Sequence, residues 1–411
     1  MTHRTVLPDR VYFGVDVLLE DPSVLSLDLR RGAWGLVTND AARCSGLPEM
    51  LSRRAITDAG YPVSQLFSPE HGISRTGEDG RAMDDQHDPV TGLPVCSLYG
   101  KTMQPPDALL RRLSGVLFDI PDIGSRFYTY IWTLSHVMEA CAEAKRPLVV
   151  LDRPNPLGGL LSAAEGPVLD TVSCSSFLGR APMPIRHSLS AGEFARWLRA
   201  EWQLDLDLHI VPARGWKREF HWPHTGLPFV PTSPAMPSYD SALCYPGTCL
   251  FEATNLSTGR GTATPFEHIG APWLNARRVI AHCDSLARNH PGMLAGLRLE
   301  ETHFVPQEEP CKMKECQGIR LIVTEPEVVR PVRAGLMLLT VIRQFHPDSF
   351  TWKTYPTAAN PSGEGHFERL IGDLRIRPQL ESEPESFLRR LPELLDASGW
   401  KEEVREHLLY D

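Results

Sequence analysis

Glu70 and His71 stand three and four residues behind the apolar run 63–67, and glycines follow at 72, 77 and 80. An acid at the end of such a run, beside glycines that let a backbone close on a ligand, suits proton donation to a leaving group. Phe67 and Ile73 flank it and would strip water from its carboxyl, raising its pKa as a general acid at neutral pH requires. The plain alternative is a solvated loop glutamate. Asp119 ends the run 115–119, with Asp122 just beyond it in "IPDIGSRFYTY", and Asp152 ends the run 147–152 in "LDRPNP". Ligands of open parallel sheets sit outside the carboxyl ends of the strands, so these acids would share one crevice with Glu70. As structural residues, Asp119 and Asp152 would instead cap helices or brace loops.

His71 with Asp84, Asp85, His87 and Asp88 of "MDDQHD" forms a second constellation, rich in ligands for an ion that activates water. Its spacing matches no established ligand pattern, and "CKMKEC" (311–316) lacks the second Cys or His pair of a zinc site. Arg260 in "STGRGT" (257–262) is placed to grip an anion. Phe127, Tyr128 and Tyr130 behind Arg126, with Trp216 and Trp222 further on, offer flat faces for sugar rings or for core packing. No GxxxxGK[ST], GxSxG or HExxH occurs, and no glycine fingerprint opens a predicted helix. No cofactor is expected.

The elements that must hold these groups show as periodicity. Short apolar runs at 34–38, 63–67, 115–119, 147–152 and 208–212 read as buried parallel strands. Helical patterns at 47–60, 106–114, 127–144 and 190–202 alternate with them, the last opened by Ser190 and Glu193 as a capping box. Residues 213–275 are rich in Pro, Gly, Thr and Trp with little periodicity, too long a stretch for an ordinary connection. Strands at 296–304 and 318–325, a helix at 330–345 and two more between 383 and 408 then follow. The expectation is an α/β fold with a parallel sheet over 1–250, and a smaller α+β domain over 251–411.

Composition agrees with a globular chain: 42% of its 411 residues are hydrophobic and 23% charged. The formal charge of -9 disfavours a phosphate backbone or an anionic bilayer, so neither a nucleic-acid nor a membrane partner is expected. The start carries no apolar leader, and nine scattered cysteines read as buried free thiols, so a soluble cytoplasmic protein is expected.

Blocks in one order along almost the whole chain carry a resemblance. They include "GLVTN" (35–39), "LFSPEHGI" (66–73), "VLFDIPDIGSRFYTYIWTL" (116–134), "VVLDRPNPLGG" (149–159), "PIRHSLSAGE" (184–193), "TGLPFVPTSPAMP" (225–237) and the closing "HLLY" (407–410). At these residues the chain resembles the YbbC-type family, long labelled only as a domain of unknown function, DUF1343, and now represented by exo-acting β-N-acetylmuramidases of the NamZ type. The resemblance implies a Rossmann-like domain with an appended smaller domain, an active cleft between them, and removal of terminal N-acetylmuramic acid from peptidoglycan fragments. It points to Glu70 as the catalytic acid. Family members are often exported, whereas no leader is read here.

On that implied reading Glu70 protonates the leaving oxygen, and the sugar's acetamido oxygen or a second carboxylate completes the displacement. Asp119, Asp122 or Glu193 would orient the amide or activate water. The lactyl carboxylate of the sugar asks for a planar cation, and Arg126, Arg153, Arg186 and Arg260 all lie in matching blocks, with structural ion pairs as their alternative. His71, Tyr128, Asp152, Asn155 and His187 complete the candidate substrate-binding set. Two rivals remain: a metal-dependent hydrolase or deacetylase of amino sugars, and a non-catalytic peptidoglycan-fragment binder.

Overall fold

A computed structural model describes residues 10–411 apart from 83 and 291. The first nine residues, read above for a leader, and Met83 of "MDDQHD" lie outside the described residues. Seven strands form the main sheet: β1 (Trp34–Thr38), β2 (Val63–Ser68), β3 (Gln86–His87), β4 (Pro94–Ser97), β5 (Gly115–Asp119), β6 (Leu148–Leu151) and β7 (Leu208–Val211). Their spatial order is β3-β4-β2-β1-β5-β6-β7, and every neighbouring pair is parallel except the two-residue edge strand β3 with β4. The six parallel strands are thus doubly wound, reversing direction of travel between β1 and β5.

Alternation along each strand decides the layers. Val37, Phe67 and Phe118 point into one apolar cluster with the helices Tyr130–Ala144 and Ala191–Glu201. Their chain neighbours Leu36, Leu66 and Leu117 point into a second, with the helices Gly14–Glu20 and Ser52–Asp58. Both faces are covered, which is why "WGLVT" and "GVLFD" are buried throughout instead of alternating with polar residues.

A second sheet, β8 (His268–Ala271), β9 (Leu297–Phe304) and β10 (Cys316–Val323), is antiparallel in the order β8-β10-β9. The helix Ala276–Asn289 packs on β9 and β10, the helix Pro331–Phe345 packs on that helix and on Tyr239–Thr248, and the short helices His366–Ile371, Ile376–Ser382, Pro384–Leu394 and Ser398–Val404 follow. The stretch expected to be irregular holds a helix, Tyr239–Thr248, as well as β8. Ser238 caps that helix by accepting from the Ser241 N–H at 3.0 Å, and Pro246 near its end hid it from a reading based on breakers. No helix among the described residues is long and apolar enough to cross a membrane. All nine cysteines are free, eight of them buried.

One apolar cluster runs from Val37 in the main sheet to Val404 near the end of the chain, so the two sheets share a core. Its tightest crossing is between the helices Tyr239–Thr248 and Pro331–Phe345, where a Cβ on Gly247 would collide with the Pro331 carbonyl and one on Gly335 with the Gly247 backbone. Glycine to alanine inside a helix ordinarily stabilises by roughly 0.5–1 kcal/mol. Here the sign is expected to reverse: Gly247→Ala and Gly335→Ala should each destabilise by about 1–3 kcal/mol through overpacking. Chemical denaturation of each variant beside wild type measures it, and a gain in stability for both would refute the close crossing.

Candidate active site

The loop leaving β2 carries Glu70 into a cavity of about 780 Å³, open mouth included. Its walls come from both sequence halves: Glu70, His71, Asp79 and Tyr99 from loops after β2 and β4, Phe127 to Thr129 from the entry to the helix Tyr130–Ala144, and Glu252, Arg260, Tyr355 and His366 from the second half. His71 has φ of 68°, a left-handed backbone uncommon outside glycine, and this turns the chain so that residues 70 and 79 face one another. The imidazole is fixed by a 2.8 Å hydrogen bond between Nδ1 and the Gly77 carbonyl.

Glu70 is 5% exposed. The Gly80 N–H donates to Oε1 at 2.8 Å and the Thr129 hydroxyl to Oε2 at 2.7 Å, so the carboxyl is held by both oxygens. Burial pushes its pKa up and the nearby Asp79 carboxylate adds to the rise; His71, Thr129 and Gly80 oppose them without cancelling them. Asp79 goes the other way. Burial raises it, but the Arg260 guanidinium, His71 and the Tyr355 hydroxyl outweigh burial and hold it below the ordinary carboxyl range. Tyr355 donates to Asp79 Oδ2 at 2.6 Å, and Arg260 Nη2 lies 3.5 Å from the same oxygen. Arg260 is anchored from behind by Glu252, 2.6 Å from its Nε. Ligating atoms of Glu70, His71 and Asp79 lie within 4.8 Å of one another. Two close carboxyls whose pKa values are driven apart can divide labour, one holding a proton and the other a charge.

Five residues named from the sequence line this cavity: Glu70, His71, Phe127, Tyr128 and Arg260. Tyr128 donates to the Thr232 hydroxyl at 2.6 Å. The others lie elsewhere, and the topology says why. Glu70 follows β2, while Asp119 and Asp152 end β5 and β6 on the far side of β1. Asp119 is fully buried against Arg153, its Oδ1 2.6 Å from Nε. Asp122 accepts from the Gly124 N–H at 2.7 Å and faces His187 Nε2 at 3.4 Å. Asp152 accepts from Ser190, Gly192 and Tyr410, bracing the start of the helix Ala191–Glu201. Glu193 closes the capping box expected for that helix and pairs with Arg218. It is a structural cap and not a wall of the Glu70 cavity. Asn155 bonds the Leu189 carbonyl and the Leu157 N–H, and Arg126 and Arg186 are spent on backbone carbonyls.

Arg153 and Asp122 line a separate, mostly apolar cavity with Phe13, Trp222 and Phe229 at the β1–β5 reversal. The metal constellation does not assemble either. Asp84 pairs with Lys101 at the surface, Asp85 accepts from the Ser97 N–H, and Asp88 is locked in a buried pair with Arg53. Sequence reasoning missed Asp79, Tyr99, Glu252, Tyr355 and His366. Only Asp79 left a usable signal, an acid before a glycine in the same loop as Glu70.

A family model described as "Exo-beta-N-acetylmuramidase NamZ, N-terminal" matches residues 34–240, and its C-terminal counterpart matches residues 243–410. A Bacillus subtilis (strain 168) protein described as "Peptidoglycan beta-N-acetylmuramidase NamZ" is 35% identical over 380 residues, covering 92% of this chain and 86% of that one. Two crystal structures of DUF1343 family proteins from Bacteroides fragilis NCTC 9343 superpose with TM-scores of 0.83 and 0.72, at 28% and 25% identity. Each covers 98% of this chain and 99% of the other.

Because the folded-state pKa of Glu70 is raised, its contribution to stability is complete at acid pH and is lost as pH climbs through the ordinary carboxyl range and the raised value. Glu70→Gln keeps an acceptor for Gly80 and removes that titration. Melting temperatures are expected to favour the variant increasingly from pH ~4 to pH ~7, and a difference that is flat or runs the other way contradicts a raised Glu70.

Proposed function

The chain belongs to the exo-β-N-acetylmuramidase NamZ family along both its halves, and from that we propose that it removes terminal N-acetylmuramic acid from peptidoglycan fragments with Glu70 as general acid. The observation that carries the assignment of Glu70 is its buried carboxyl, pushed up in pKa, beside an Asp79 carboxyl pushed down by Arg260 in the same cavity. Aromatic rings of Tyr99, Phe127, Tyr128 and Phe177 supply faces for a sugar.

Glu70 gives its proton to the glycosidic oxygen as the bond to the anomeric carbon breaks. Ligating oxygens of Glu70 and Asp79 lie within 4.8 Å of each other, so the two carboxyls face the same part of the cavity. The sugar's own acetamido oxygen closes on the anomeric carbon, the recognised alternative to a second carboxylate for an N-acetyl sugar. Asp79 accepts the acetamido N–H and offsets the positive charge of the cyclised ring. Water then opens the ring, losing a proton to the Glu70 carboxylate, which restores the starting acid. Net retention of configuration follows. His71 and Arg260 keep Asp79 ionised through the cycle.

The test is nitrophenol release from a β-N-acetylmuramic acid nitrophenyl glycoside. Glu70→Gln is expected to lose kcat about 10²–10⁴-fold, and NMR of the first product should show the β anomer. No release by wild type, or an α first product, defeats the respective claim. The alkaline limb of kcat/KM should move to lower pH in Asp79→Asn, since removing a neighbouring negative charge lets Glu70 ionise sooner. The proximity of Glu70, His71 and Asp79 favours one other reading, a divalent ion held by the three. Full activity after EDTA treatment counts against it, and loss restored by zinc or manganese counts for it.

A further inference from the structure

Two arginines line the catalytic cavity, and they are not in the same state. Arg260 is bound to Glu252 and Asp79 and is already neutralised. Arg369 has no carboxylate within ion-pair distance and no side-chain hydrogen bond among the described residues, although it is half-buried and on the cavity wall. An arginine left unpaired in a partly dry recess, where a guanidinium attracts anions strongly, is poised for an anionic group of a ligand.

A second, independent feature lies one turn earlier on the same helix. His366 is 5% exposed, lines the same wall, and its Nε2 has no partner. Its ring stacks on Tyr355, with centroids 4.6 Å apart and planes 15° from parallel, while Tyr355 itself donates to Asp79. Burial drives the imidazole pKa down to about 4, against the pull of Asp79, so the ring is neutral and can offer an N–H. Spacing of three places both side chains on one face of the helix His366–Ile371. That helix is held from below by Arg126, whose guanidinium donates to the Leu370 carbonyl at 2.7 Å and to the carbonyls of Pro167 and Met183. Arg126, expected from the sequence to touch substrate, is a positioning residue for this pair.

We infer that Arg369, with His366 beside it, is the receptor for the free lactyl carboxylate of the muramic acid bound over Glu70 and Asp79, and so the residue that separates this sugar from N-acetylglucosamine. The inference rests on the proposed muramidase reading. It also sets the substrate class: the lactyl group must be an ionised acid, since an amide or ester there presents no charge to the guanidinium.

Two nitrophenyl β-glycosides decide it, one of N-acetylmuramic acid and one of its lactyl methyl ester, compared as the ratio of kcat/KM for acid over ester. Arg369→Gln is expected to lower that ratio about 10- to 100-fold, mainly through KM, and Arg369→Lys to recover part of it. His366→Phe should lower it by a smaller factor, and a wild-type ratio there would remove the imidazole from the receptor. A ratio unchanged in Arg369→Gln overturns the inference, while wild type hydrolysing neither glycoside would strike at the muramidase reading. In that event equilibrium binding of free N-acetylmuramic acid and its methyl ester still decides: Arg369→Gln must lose the preference for the acid, and keeping it overturns the assignment.

Discussion

Two carboxyl groups held within 4.8 Å of each other in a buried recess cannot both be ionised without support, and the site is organised around that constraint. Arg260, braced by Glu252, and the Tyr355 hydroxyl place the negative charge on Asp79. Glu70 is pushed the other way, its pKa raised by burial and by Asp79 although Gly80 and Thr129 donate to its oxygens. The main-sheet half supplies the pair of acids and the second half supplies the groups that distinguish them. The two halves meet over a core continuous from one sheet to the other.

The scaffold beneath solves the same problem repeatedly and differently. Asp119 with Arg153, Glu193 with Arg218, and Asp88 with Arg53 are buried acids met by buried arginines. Losing one partner of such a pair is far more harmful than the pair is beneficial, because a lone buried charge remains. These pairs fix loops after β5, the helix Ala191–Glu201 and the helix Ser52–Asp58. They look like chemistry in a sequence for the same reason that they matter to the fold: acid and arginine side chains do not enter a core unaccompanied.

That ambiguity sets what was legible. The parallel strands and the Ser190–Glu193 capping box were readable because both are local: buried apolar runs, and an acid three residues behind a serine. Glu70 was readable because its drying neighbours Phe67 and Ile73 flank it in the chain. Asp119, Asp152 and Glu193 passed as candidates because strand ends and helix starts attract acids whether or not a substrate does. Tyr355, His366 and Arg369 were invisible to spacing, since they lie about 300 residues from Glu70 and meet it only through the packing of the second half.

The continuous core also bears on the titration of Glu70. Burial is the largest cause of the raised Glu70 pKa, and the walls that bury it come from both sequence halves, between Glu70 and Leu370. Solvent admitted to the cavity would draw the Glu70 pKa back toward its ordinary value, so local opening would register in the titration of this one carboxyl before the fold is lost.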